Sequence, residues 1–323
     1  MANADHAKSP PPPAQPGISV VIPCYNYARF LAFAVDSCLA QDYPDFEVIV
    51  VDDGSKDETP AVAARYGERI RYIRQDNAGL PAARNTGITN ARKPFIAFLD
   101  ADDQFKPGHF AGMMGKMQRL PASFGLLAPD YEYIDAGGTP LGNRRFDPDW
   151  ERQISAADII MRTRFPPSGV LARREVFDKC GLFDLPLRSS EDRDMWIRVA
   201  AHYKVWRMDN ALVQIRKHGS NMSSNAARMK ANMLIVLAKA RRANVVPASD
   251  FCFWLRAHSF LYNQTALIYA GTGHPWQGFR DMIRSLLLWP WHPGHARLDM
   301  PPLFRVRSLA RWIRDAFMSK PSQ

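Results

Sequence analysis

Cysteine is scarce in this sequence. Four occur in 323 residues, at positions 24, 38, 180 and 252. Their spacing fits neither a zinc site nor a disulfide framework and predicts reduced thiols in a cytoplasmic setting. No apolar run approaches the roughly 20 residues that span a bilayer, so no transmembrane helix is expected. No basic start leads into an apolar core at the N-terminus, which argues against a secretory signal. Residues 1–16, with Pro10 to Pro13 in a row, are expected to form a disordered, polyproline-prone tail. Glycine is missing where a dinucleotide fold needs it. After the first apolar run the chain reads Pro23-Cys24-Tyr25-Asn26-Tyr27, not G-x-G-x-x-G, which argues against a nicotinamide oxidoreductase. No glutamate follows Glu191.

What is present is ordinary for a globular protein. Apolar residues make up 46% and charged residues 23%, which excludes general disorder, a collagen repeat and a coiled coil. The net charge of +10 is unevenly spread. Residues 1–200 carry 24 Lys/Arg against 27 Asp/Glu, a net −3, while residues 201–323 carry 18 Lys/Arg against 5 Asp, a net +13. An acidic front suits metal and sugar chemistry. A basic back suits a phosphate-rich partner, either a membrane surface or a nucleic acid.

Hydrophobic periodicity gives the order of elements. Strands are expected at 18–22, 46–51, 70–73 and 95–99, and helices at 29–40, 57–66 and 80–91, with another opened by Pro107. This alternation predicts an α/β fold with a parallel, doubly wound sheet. In such sheets ligands sit beyond the carboxyl ends of the strands. Three of those ends carry polar clusters: Tyr25-Asn26, Asp52-Asp53 and Asp100 to Asp103. Residues 124–173 read as mixed, with turns at Gly137-Gly138 and Asp147-Pro148. A helix is expected at 191–201 and one or two strands at 204–216. Helices then run through 226–242, 249–270, 275–288 and 302–318.

Five constellations have the residue types for chemistry. Asp100-Ala101-Asp102 can hold a hard divalent cation beside substrate phosphates, or form a solvated acidic turn. Asp52-Asp53-Gly54-Ser55 can accept from a nucleobase imide or a ribose hydroxyl, or cap the next helix. Arg84 can fork onto phosphate or sugar oxygens, or lie on the surface. In Glu191-Asp192-Arg193-Asp194-Met195-Trp196 a carboxylate can serve as general base, or simply favour the helix dipole. His218 can reach a metal or a phosphate.

Taken together, in order and spacing, these stretches resemble family 2 glycosyltransferases with the GT-A fold. The matching segments are Ile18 to Asn26, Val50 to Ser55, Ala83 to Gly87, Phe98 to Asp103, Glu191 to Trp196, and Arg216 to Ser223. The resemblance covers residues 17–223. It implies a nucleotide-sugar-binding half at 17–120, an acceptor and catalytic half at 121–223, and a basic helical extension at 224–323. Pro23, Tyr25 and Asn26 look like the loop under the nucleotide, and Asp53 like the carboxylate that reads the base. Arg84 looks like the residue near the diphosphate, with Asp100 and Ala101 beside the ribose. Asp102 looks like the ligand of Mn²⁺ or Mg²⁺, with His218 beside it. Asp192 looks like the catalytic base, with Glu191 and Trp196 on the acceptor side. The implied reaction is an inverting transfer to a glycan or lipid-linked acceptor in bacterial surface polysaccharide synthesis. UDP is the favoured nucleotide, with dTDP and GDP open. The Gln-x-x-Arg-Trp motif and membrane spans of processive synthases are not visible. The alternative is a GT-A scaffold that binds a nucleotide without catalysis.

In the last helix Val306, Leu309, Ala310, Ile313 and Phe317 form an apolar stripe beside Arg307, Arg311 and Arg314. That pattern fits docking on an anionic membrane through residues 302–323, or packing onto the catalytic domain. It does not match a nucleic-acid reader.

Overall fold

The computed structural model describes residues 15–142, 151–162, 165–219, 225–291 and 303–318. Outside them lie most of the Pro-rich tail, the Asp147-Pro148 turn and residues 220–224. The side chains of Ile313, Arg314 and Phe317 are also outside.

The first half alternates as its periodicity predicts: β1 (Ile18–Cys24), α1 (Ala28–Leu39), β2 (Phe46–Asp52), α2 (Thr59–Ala64), β3 (Arg71–Arg74), α3 (Leu80–Asn90) and β4 (Phe95–Phe98). These four strands pair in parallel in the order β3-β2-β1-β4. Odd and even residues of β1 face opposite sides, because side chains alternate along a strand. Val21 therefore joins one apolar layer with Ile49, Val51, Ile96 and Phe98. Val20 and Ile22 join the other with Val48, Val50 and Ala97. Helices cover both layers, which is why these strands read as continuous apolar runs.

Beyond β4 the chain runs through β5 (Gln104–Phe105), α4 (His109–Arg119), β6 (Phe124–Ile134), β7 (Arg152–Ile154), α5 (Ala156–Met161), β8 (Leu171–Arg173), α6 (Glu175–Cys180), α7 (Glu191–His202) and β9 (Lys204–Arg216). Here the sheet continues β4-β8-β6-β9-β5, with β7 on β9. β8 pairs antiparallel with both β4 and β6, while β6 and β9 run parallel. The sheet is thus doubly wound and parallel in its first half, and mixed as a whole. Residues 204–216 form one long strand.

Helix α3 lies close against β1 at Gly87. A Cβ built there would sit 2.2 Å from Val21 Cγ1. Gly87→Ala is expected to force the helix off the sheet and cost about 1–3 kcal/mol of stability, read as a lower urea midpoint.

The last helices are α8 (Ala226–Arg242), α9 (Phe251–Gly271), α10 (Pro275–Leu288) and α11 (Phe304–Met318). They are less separate than an appendage. Met233, Val236 and Leu237 of α8 and Trp254, Phe260 and Leu261 of α9 share one apolar cluster with Val21 and Phe98. The stripe expected on α11 is divided. Leu309 turns inward onto Ala266 and Met282, whereas Val306, Ala310, Arg307 and Arg311 face outward. Buried Arg305 takes the inward position instead. It donates to Ser259 Oγ at 3.0 Å and to the Trp289 carbonyl at 2.9 Å. The first turns of α11 therefore dock on α9 and α10. Among the described residues no helix is long and apolar enough to cross a membrane.

Candidate active site

The ends of β1, β2 and β4 open on one crevice of about 630 Å³. Pro23, Tyr25, Asp53, Arg84, Asp100, Ala101, Asp102, Glu191 and Asp192 all line it. Each of the three strand ends and the first turn of α7 thus contributes to one site, though β1 and α7 are far apart in sequence; Asn26, Asp52 and His218 are not among its lining residues.

The loop after β1 is held from beneath. Asn26 takes a positive φ of 56°, which asparagine tolerates well. Its N–H donates to Ser55 Oγ at 2.9 Å, and its Oδ1 accepts from the Lys56 N–H at 2.7 Å. Asp52 is wholly internal. It accepts from the Ser55 N–H, Tyr72 Oη and Arg74 Nη1. Asp53 organises the next loop. Its carboxylate accepts from Gln75 Nε2 at 2.8 Å and from the N–H groups of Ala78 at 2.9 Å and Gly79 at 2.7 Å. Gly79 has φ 95°, a conformation that glycine adopts without a Cβ penalty.

Arg84 sits between the two sides of the crevice. It is buried, and donates to Asp100 Oδ1 at 2.7 Å and to Glu191 Oε1 at 2.5 Å. Burial alone would lower its pKa, but Asp100 and then Glu191 more than reverse this, so it stays charged. One guanidinium thereby ties the carboxyl end of β4 to the start of α7. Burial pushes the Glu191 carboxyl up to about 7, against the pull of Arg84 and with a push from Asp192. Asp192 is also raised, mainly by burial and further by Asp100, while Arg84 opposes. Its side chain remains partly open to the crevice. Ser190, just before α7, holds a left-handed φ of 60°. That conformation costs roughly 1–2 kcal/mol for a residue with a Cβ, and it aims the first turn of the helix.

Asp102 Oδ2 lies 2.9 Å from His218 Nε2. The imidazole is fixed against Phe30, with ring centroids 5.1 Å apart. Burial, then Asp100, raises the Asp102 pKa. A carboxylate oxygen and an imidazole nitrogen suit Mn²⁺ or Mg²⁺ when substrate phosphates complete the shell. Among the described residues no group of three or more His, Cys, Asp or Glu forms a cage, and these two side chains would supply part of that shell.

Trp196 stands apart from the other expected residues. It is fully buried against Phe98, Phe183 and Phe165, so it packs the core and does not face an acceptor. Glu191 lines the crevice, but one of its carboxylate oxygens is committed to Arg84.

Several supports have no evident sequence signal. Asp103 is buried, and accepts from Ser168 Oγ at 2.5 Å and from the Arg216 N–H at 2.9 Å. Its pKa lies well above the usual carboxylate range, through burial first and then Asp102. Ser168 Oγ also accepts from the Asp100 N–H at 3.0 Å. Arg216 donates to the Asp102 carbonyl at 2.9 Å and lies over the Phe30 and Phe33 rings. These contacts lock the backbone of 100–103. Arg188, Arg228 and Met229 also line the crevice, the last two from α8.

A family model described as glycosyl transferase family 2 matches residues 19–181. An uncharacterized glycosyltransferase of Rickettsia felis is 29% identical over 262 residues, covering 77% of this chain but 43% of that protein. The chain thus spans less than half the length of that relative. TuaG of Bacillus subtilis, assigned provisionally to teichuronic acid biosynthesis, is 26% identical over 245 residues, covering 74% of this chain and 94% of TuaG. Among solved structures, residues 1–349 of S. aureus TarS superpose with a TM-score of 0.62 at 16% identity, over 95% of this chain and 93% of that one. The Pyrobaculum calidifontis mannosyltransferase PcManGT gives a TM-score of 0.61 at 17% identity, over 97% and 90%. At such identities the likeness shows the fold, which is of the GT-A type.

Proposed function

This chain belongs to glycosyl transferase family 2, and from that premise we propose that it transfers a sugar from a UDP-sugar to a hydroxyl of a glycan or lipid-linked acceptor, inverting the anomeric centre. The observation that carries the reading is the placing of Asp192. It stands in the first turn of α7, with a raised pKa and an opening on the crevice, facing the strand ends that carry Asp53, Asp100 and Asp102. TarS is described in complex with UDP-GlcNAc and PcManGT with GDP-Man and Mn²⁺, which supports a nucleotide-sugar donor. The TuaG match supports a surface polysaccharide as the product class.

Each residue then has a task. The loops of Tyr25-Asn26 and 75–79 frame the base, with Asp53 bracing the second loop and offering the remaining lone pair of Oδ2 to the imide. Asp100 and the Ala101 backbone sit beside the ribose. Arg84 acts through its two carboxylates, setting the distance between donor site and base. Asp192 takes the proton of the acceptor hydroxyl while that oxygen bonds to the anomeric carbon. The bond from that carbon to the diphosphate oxygen breaks, and its electron pair leaves with the nucleoside diphosphate. A single displacement of this kind passes through an oxocarbenium-like state and inverts the centre. Asp102 and His218 would hold a divalent cation, which when bound supplies neutralising charge for the leaving diphosphate.

The test is stereochemical. With an α-linked UDP-sugar of gluco or galacto configuration and a saccharide acceptor, the new anomeric proton is expected to show the large β coupling by NMR. Retention of the α configuration would contradict single displacement by Asp192.

A further inference from the structure

Helix α10 presents an outward face that the active site does not use. At 100° per residue, positions 276, 280, 284 and 287 fall within an arc of about 80°. They are Trp276, Arg280, Arg284 and Leu287, and all four are exposed. The opposite arc carries the buried residues Gly278, Asp281, Met282 and Ser285. Helix α11 repeats the arrangement: Arg305 and Leu309 turn inward, while Val306, Arg307, Ala310 and Arg311 turn outward.

The two helices are tied at one point. Arg305 donates to the carbonyls of Trp289, Pro290 and Trp291, so the end of α10 and the start of α11 are held together. At and beside the tied residues in the chain are Leu287, 79% exposed, Trp291, 73%, Leu303, 66%, and Val306, 50%. Large apolar side chains so open to water, on the residues flanking that tie, mark a surface built to be covered.

The charge beside them is of one sign. Arg280, Arg284, Arg307 and Arg311 are all exposed. Among the residues from 225 onward whose side chains are described, the acids are Asp250, which caps α9, and Asp281, which is fully buried against Lys230 and Thr265 and lies 3.7 Å from Arg284; Asp299 and the side chain of Asp315 lie outside them. A protein partner would have to offer an acidic patch matched to these arginines with apolar side chains beside it, whereas an anionic bilayer offers both at every point of its surface. A surface with exposed leucine, valine and tryptophan, flanked by arginines and with no exposed carboxylate among its described side chains, complements the acyl boundary and anionic headgroups of a bilayer. We infer that the outward faces of α10 and the first turns of α11 dock on an anionic membrane surface. This differs from docking by the apolar stripe of residues 302–323, because Leu309 of that stripe is spent on packing within the protein.

The test is co-sedimentation of the full chain with vesicles of phosphatidylcholine alone and of phosphatidylcholine mixed with phosphatidylglycerol, without nucleotide. Binding is expected only to the anionic vesicles and to weaken as salt rises. The double variant Arg280→Glu/Arg307→Glu should lower that binding on the order of tenfold or more. Leu287→Ser/Trp291→Ser, at positions too exposed to unfold the chain, should lower it as well. Equal binding to neutral vesicles, no binding, or binding that both variants retain would overturn the inference. So would concentration-dependent self-association in the ultracentrifuge that Leu287→Ser/Trp291→Ser abolishes, since the occupant would then be a second copy. Because no donor is present, failure here leaves the catalytic proposal standing.

Discussion

Replacing Asp192 by Asn is expected to lower kcat by roughly 10²–10⁴-fold, the usual contribution of a positioned base, with the Kd for nucleoside diphosphate almost unchanged. Asn keeps the size of the side chain and its place at the first turn of α7 but cannot take a proton. The crevice residues that would meet the nucleotide lie on other elements, at the ends of β1, β2 and β4. A variant that binds nucleotide as the parent does and turns over at the parental rate would remove Asp192 from the mechanism. The pH profile gives an independent readout. Burial raises both Glu191 and Asp192, and Glu191 reaches about 7. The two titrate as a pair, and the base acts only when unprotonated. kcat/KM should therefore fall as pH drops through the neutral range. Glu191→Gln removes one negative neighbour and frees Arg84 to favour the Asp192 carboxylate, so the acidic limb should move to lower pH.

Arg84→Met is expected to cost about 3–5 kcal/mol of stability, because it leaves a buried carboxylate without its partner. Glu191 is 4% exposed and loses its cation, while Asp100 keeps some access to water. The double variant Arg84→Met/Glu191→Leu should recover much of that stability, since apolar groups can replace a buried ion pair at little net cost. It should not recover activity, because the tie between the end of β4 and the start of α7 is gone. Urea denaturation separates these outcomes. A single variant within 1 kcal/mol of the parent, an order-of-magnitude limit for an exposed pair, would mean that Arg84 is not a buried bridge.

Much of the nucleotide-binding half was legible because its signals are local. A β-branched run with alternating faces, such as Ile18 to Ile22, specifies a buried strand without help from distant residues. A strand end followed by Asp-x-Asp places its carboxylates at the rim by topology alone. What could not be read was the partner of each charged group. Arg84 has the composition of a phosphate clamp, and only the fold brings Glu191, 107 residues later, onto its Nη1. Asp103 shares its motif with Asp102, yet it is taken inward by Ser168 and Arg216, which lie 65 and 113 residues away. Trp196 was misplaced for a related reason. Helix α7 is buried nearly all round, so no polar stripe distinguishes its crevice side, and only its first turn reaches the site. On α11 the apolar periodicity left Arg305 out of the inward face, because a buried arginine with six carbonyl and hydroxyl acceptors reads as a surface charge in sequence.

On the proposed function, this crevice takes a nucleoside diphosphate beside Asp102 and His218. Thermal unfolding of the purified chain with UDP, dTDP, GDP or CDP, each with and without Mn²⁺, tests it most directly. A ligand that binds only the native state raises stability by RT ln(1 + [L]/Kd), about 2.7 kcal/mol at a hundredfold excess over Kd. A rise in Tm with UDP is expected that requires Mn²⁺ and disappears in Asp102→Ala. No shift with any of the four nucleotides would contradict it.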